Sequence, residues 1–319
     1  MIDFRYHLIS LVDVFLALAA GVALGSGPLG AELSNGLLSE DDKDRETAEA
    51  QRLELSAANQ VANFNDAFAS AVDTSVLDGL LDGSTVTVFA LPDANSATVE
   101  AVIEELQVAG ADVVGKVDVA PALIDATNRT TAQNLATQVL RGVDGVPTVA
   151  EAGSYEVVGY AVAQGLLTTT LTGAPVDAKA QEIQSAFQGA DYLTYEGGDV
   201  ARRGGLAVVV AGNSNAKGSQ AQSEVLAAML DSMDSLSGGL VLAGPLETQQ
   251  NPGFIAGLLT SDAASRVSTV DMVETVAGRV VTVMALAEQA GESSGHYGAG
   301  AGADEVLPKL PIDTAPAGG

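Results

Sequence analysis

Cysteine is absent from this 319-residue chain, which excludes a disulfide framework and any thiolate metal site. Histidine is nearly absent, with His7 and His296 at opposite ends. Bases are few, 14 against 41 acids, and the resulting formal charge of −27 repels phosphate backbones and argues against nucleic acid as a partner. Aromatic residues make up 4% of a chain that is 47% hydrophobic, so a core must come from Ala, Val, Leu and Ile. Helices packed on a buried sheet suit that composition; an aromatic-girdled barrel does not. Long apolar runs are missing after residue 30, and only Leu8–Leu29 reaches the roughly 20 residues that a membrane-spanning helix needs.

That run carries one ionisable group, Asp13. Arg5 and His7 precede it, and Glu32, Glu40, Asp41 and Asp42 follow it before the first base, Lys43. Positive residues stay cytoplasmic, so the pattern predicts a single-pass anchor with the N-terminus inside and the bulk extracytoplasmic, on the periplasmic side of the cell membrane. A cleaved signal peptide is the rival, because Ala17-Leu18-Ala19 resembles a cleavage site; the run, however, continues through Val22 and Leu24, past the usual apolar length of such signals. Ala17, Gly21 and Gly25 recur every fourth residue and form a small-residue face on which two anchors in one lipid bilayer could pair.

Four regions follow from composition: a stub and anchor over 1–30, a helix over 31–75, an α/β domain over 76–290 and a flexible Gly-, Ala- and Pro-rich tail over 291–319. In the helix, Leu53, Ala57, Gln60, Phe64, Ala67 and Ala71 keep a 4-3-4-3-4 spacing, the seam of a parallel coiled-coil homodimer. An amphipathic helix packed on its own domain is the alternative. From residue 85 strand and helix alternate. Strands are expected at 85–91, 112–119, 206–210, 239–243 and 267–270, and helices at 96–108, 127–141, 154–171, 177–188, 219–236, 252–260 and 273–289, with Ser96 as a cap. The pattern predicts a mostly parallel three-layer α/β, Rossmann-like sheet.

Chemistry is thin. The first strand-to-helix turn, Ala90-Leu91-Pro92-Asp93-Ala94-Asn95, has no glycine, so the dinucleotide fingerprint is missing. Gly212-Asn213-Ser214-Asn215-Ala216 resembles a nucleophile elbow, with Asp262 or Asp271 and then His296 in triad order, but Ala216 replaces the last glycine and His296 falls in the tail. Met229 and Met233, spaced i, i+4, are candidate copper ligands with His296; methionines at that spacing are more often core. Asp231 and Asp234 could hold a cation weakly but read as a solvated face.

The segments Phe4–Gly25, Val267–Asp271, Ala277–Val280, Ala285–Gln289 and Gly295–Gly298 together resemble the MctB-like copper-transport protein family of actinobacteria. The resemblance implies copper transport or efflux across the envelope. Its SteB-type members imply instead a role in cell separation, beside a SteA-like partner, and neither branch assigns catalytic residues. The combined expectation is a non-enzymatic, dimeric, partner-binding envelope protein of the cell-separation kind, with copper transport as the alternative and no cofactor beyond copper.

Overall fold

Strands that are covered on both faces carry apolar residues at every position, and the centre of this sheet does so. The computed structural model describes residues 40–147, 152–212 and 220–309, with side chains from residue 47 onward. The chain divides into two units, Met1–Phe68 and Ala69–Gly319. Most of the long helix α1 (Glu40–Leu77) lies in the first. In the second, β1 (Thr85–Ala90) leads to α2 (Ser96–Val108), β2 (Asp112–Val119), the single turn α3 (Pro121–Ile124), α4 (Arg129–Val139) and α5 (Ser154–Leu166). Then come β3 (Ala174–Pro175), α6 (Ala178–Gly189), β4 (Leu193–Tyr195), β5 (Arg202–Arg203), β6 (Leu206–Val210) and α7 (Gln220–Ser235). The series ends with β7 (Leu240–Ala243), α8 (Phe254–Leu259), β8 (Ser268–Val270), α9 (Val276–Ala290) and β9 (His296–Tyr297).

The main sheet runs β4-β2-β1-β6-β7-β8-β9. Every neighbour pair is parallel except β2 with β4. Side chains sort by the period of two that a pleated strand imposes. Phe89, Ala207, Val209, Leu240 and Leu242 point into one core with α4, α5 and α7. Val86, Val88, Val208, Val210 and Val241 point into the other, with α2 and α9. Leu77 and Leu81 close that second core. Each such fully buried side chain contributes about 1.5–3 kcal/mol. The mostly parallel α/β sheet expected from the alternation is present.

Three expectations change. Asn95, not Ser96, caps α2: its Oδ1 accepts from the amides of Ala97 (2.9 Å) and Thr98 (3.3 Å), worth about 1 kcal/mol. Edge strands β4 and β9 are additions, too short to leave a pattern. The third concerns residues 291–309, which do not form a flexible tail. His296 and Tyr297 pair in parallel with Thr269 and Val270, and the amide of Asp304 donates to the His296 carbonyl at 2.8 Å. The glycines there serve close packing: Gly298 sits at φ +134°, and a Cβ on it would overlap the Asp271 carboxylate.

The expected anchor, with Ala17, Gly21 and Gly25, lies outside the described residues. Among the described residues no helix is long and apolar enough to cross a membrane.

Candidate functional site

Open parallel sheets bind ligands beyond the carboxyl ends of their strands, where the strand order reverses. Here that point falls between β1 and β6, because β2 lies on one side of β1 and β6, β7 and β8 on the other. The two loops meet directly: a Cβ on Gly212 would overlap the backbone of Asp93 and Ala94. Asp93 itself takes a left-handed φ of 64°, which turns the chain back after Leu91. The crevice that could take a dinucleotide is therefore narrowed by backbone at this point. Residues 213–219, including Ser214 and Ser219, lie outside the described residues. Of the other three triad candidates, Asp262 is exposed on the turn Asp262–Ser265 before β8, and Asp271 is 1% exposed and committed elsewhere, as described below. His296 sits on the edge strand, with its Nδ1 3.0 Å from Thr269 Oγ1. Burial lowers the pKa of that imidazole, against the pull of Asp304.

Met229 and Met233 are each 3% exposed. They lie in the first core with Phe89, Leu91 and Leu226, and the residues lining the small void beside them are all apolar. His296 belongs to β9, on the other side of β8, so the structure does not assemble the three expected copper candidates. The physical reason is the face that α7 turns inward: the i, i+4 stripe that could present two thioethers is the stripe that packs on the sheet. Among the described residues no group of three or more His, Asp and Glu side chains is placed to hold a metal ion.

Two acids, one buried and one largely so, mark the ends of the sheet; the sequence offers Asp271 only as a triad member and Asp234 only as a weak cation holder on a solvated face. At the carboxyl end of β8, Asp271 accepts from the amides of Ala299 and Gly300, both at 2.8 Å, and from Gln249 Nε2 at 2.5 Å. Gln249 Oε1 accepts in turn from the amide of Gly302 at 2.8 Å. This network draws Gly298–Gly302 onto the sheet. Beside it the Asp271 amide donates to the Tyr297 carbonyl at 3.1 Å, which joins two of the segments that carry the family resemblance, Val267–Asp271 and Gly295–Gly298.

At the amino ends of β7 and β8 lies a polar cleft of about 500 Å³. Asp234, Ser237, Arg266, Gln289 and Glu292 line it. Asp234 is not the solvated acid expected from its place on α7, because its side chain is only 12% exposed. Burial pushes its carboxyl up to about 6; Arg266 and a hydrogen bond from the Leu240 amide oppose that shift and Asp231 adds to it. Arg266 pairs closely with Asp231 and keeps its Nε 3.8 Å from Asp234. Gln289 braces the floor, with Nε2 donating to the Arg266 carbonyl at 2.6 Å and to Ser268 Oγ at 2.9 Å.

Along α1 the seam positions Leu53, Ala57, Gln60, Phe64, Ala67 and Ala71 are all exposed in the single chain, Leu53 at 73%. Leu55, at 63%, lies beside them, and no charged residue occurs from Leu55 to Asn65. Phe64 stacks on Phe68 with ring centroids 6.5 Å apart.

Strand order, two buried cores and a long lead-in helix define a doubly wound α/β protein of flavodoxin-like strand order. Its family follows from residues 1–308, which match the model described as "Copper transport outer membrane protein, MctB", and the chain belongs to that family. Similar curated proteins include "Copper transporter MctB" of Mycobacterium tuberculosis (strain H37Rv), 28% identical over 317 residues, covering 96% of this chain and 99% of the relative. The Mycobacterium leprae (strain TN) protein of the same name is 28% identical over 322 residues, with the same coverage. These names speak for copper transport and give no support to cell separation, the reading that the sequence placed first.

Proposed function

We propose that this chain serves copper transport in the cell envelope as a non-enzymatic component, copper being cargo and not a resident cofactor. One observation carries the reading: the copper-transport family model runs across residues 1–308 and so takes in the whole α/β domain together with the stretch that precedes it. The chemistry of the domain is compatible with a supporting part in that process, in which a partner or a second copy completes any site for the metal. Leu8–Leu29 is the element we assign to the membrane, with the α/β domain extracytoplasmic.

Pairing of two copies through α1 belongs to the same proposal. Leu53, Leu55, Ala57 and Ala67 leave apolar surface open to solvent along a 38-residue helix, about 57 Å long at 1.5 Å per residue. A stretch of helix with little tertiary support is marginal alone, and a parallel partner supplies the missing contacts. The small face at Ala17, Gly21 and Gly25 would continue that pairing. A SteA-like partner stays a proposal drawn from the resemblance alone.

Deleting the gene and scoring both cell-associated copper under copper load and the formation of unseparated cell chains tests the assignment. The expected result is altered copper content, restored by the intact gene, with normal separation. Unchanged copper together with chained cells would overturn it in favour of cell separation.

A further inference from the structure

The cleft at the amino ends of β7 and β8 has an electrostatic character that points one way. Helices α7 and α9 both end beside it, at Ser235 and Ala290, and neither carries a base in its last turn. The aligned peptide dipoles leave the equivalent of roughly half a negative charge at a helix C-terminus. Asp234 in the wall and Glu292 at the exposed rim add two carboxylates. Arg266 is the one base in the lining, and its closest partner is Asp231, outside the cleft. Asp234, its side chain 12% exposed, thus has the Leu240 amide as donor and a guanidinium 3.8 Å away, beyond hydrogen-bond length, so that acceptor capacity remains toward the cleft. Around it, Ser237, Ser265, Ser293 and Ser294 supply polar oxygens.

We propose that this cleft binds a small organic cation, a molecule bearing an ammonium or guanidinium group, with Asp234 as its counter-ion and Glu292 as a second contact at the rim. Size supports an organic ligand: about 500 Å³ falls within the range of small-molecule sites and far exceeds a bare ion. So does donor chemistry, because oxygen-rich walls are a poor match to copper(I), which prefers sulfur and imidazole. The raised proton affinity of Asp234 agrees with a buried carboxylate short of positive charge. The inference stands independently of copper transport.

Isothermal titration of the purified full chain, held in non-ionic detergent at about physiological salt so that distant charges are screened, tests it with spermidine and lysinamide as probes. Both should bind saturably at one site per chain, while succinate, similar in size and opposite in charge, should not. Asp234→Asn should weaken spermidine binding about tenfold or more, as expected for loss of a charge-assisted contact. Asp234→Glu should keep it within a few-fold. Asp118→Asn, the same charge change at an exposed position on β2, should leave binding unchanged. If Asp234→Asn alters the melting curve, Glu292→Gln at the rim carries the test, with a few-fold loss expected. No saturable heat, equal losses in the Asp118 and Asp234 variants, equal binding of succinate, or an unaffected Glu292→Gln variant in that case would each overturn the proposal.

Discussion

The two ends of the sheet each hold a buried acid, and they use it in opposite ways. At the carboxyl end Asp271 is surrounded by donors: two amides and a carboxamide satisfy it, and the chain folds down over it. At the amino end Asp234, its side chain 12% exposed, faces a cleft with one amide donor, that of Leu240, and the guanidinium beside it is turned toward another acid. Saturation with donors makes a buried carboxylate a fastener. A carboxylate with a single amide donor keeps acceptor capacity for something else. The same residue type on one sheet thus closes one end and leaves the other available, because the difference lies in what the loops bring to each acid.

The sharpest way to break this contrast is Asp271→Ala. It orphans three donors at about 1–3 kcal/mol each, so a loss of about 3–5 kcal/mol is expected in urea unfolding, with fast amide exchange at Ala299 and Gly300. A loss below about 1 kcal/mol would show that the fastener is ornamental. Next in size, Gly298→Ala places a methyl against the Asp271 carboxylate from a φ of +134° and should cost about 2–3 kcal/mol. Gly142→Ala, at φ +80° with open space around it, should cost about 1 kcal/mol. Equal effects at the two glycines would remove the close-packing explanation.

The open acid predicts a pH signature of the other sign. A carboxyl raised from 3.8 to about 6 binds its proton more tightly folded than unfolded, so its contribution to stability is largest below pH 4 and is lost as pH rises toward and through 6. Two units correspond to about 2–3 kcal/mol. Comparing wild type with Asp234→Asn from pH 4 to 7 should show that fall in the wild type alone; parallel curves would contradict the assigned burial. The smallest effect is expected from Met229→Leu, below about 1.5 kcal/mol and without change in cellular copper content, since the residue fills core. A copper phenotype from that conservative swap would return the methionine to the list of ligands.

How much of this was legible depended on whether the cause was local. β6 and β7 are read from the chain because a strand buried on both faces must be a run such as Leu206-Ala207-Val208-Val209-Val210. β9 is not, because two residues between glycines leave no period, and its partner β8 lies 27 residues back. Glycine and alanine after residue 291 have the composition of a linker, yet the glycines are there to let backbone approach Asp271 and Gln249. The same limit applies to the sites. Spacing alone does not say whether Met229 and Met233 face core or solvent, and nothing adjacent to Asp234 reveals that Arg266, 32 residues later, turns toward Asp231 instead. Both misreadings concern which side of a helix is covered, a property of the assembled layers.

The placement of β9 sets an order of events. The chain is made from its N-terminus, and β8 keeps an unpaired edge until residues 296 and 297, 27 residues further on, reach it. Until then the domain carries an exposed strand edge, the feature through which unfinished sheets find one another. Closure of this sheet edge therefore waits on β9, and a chain cut before residue 296 would leave β8 without its seal.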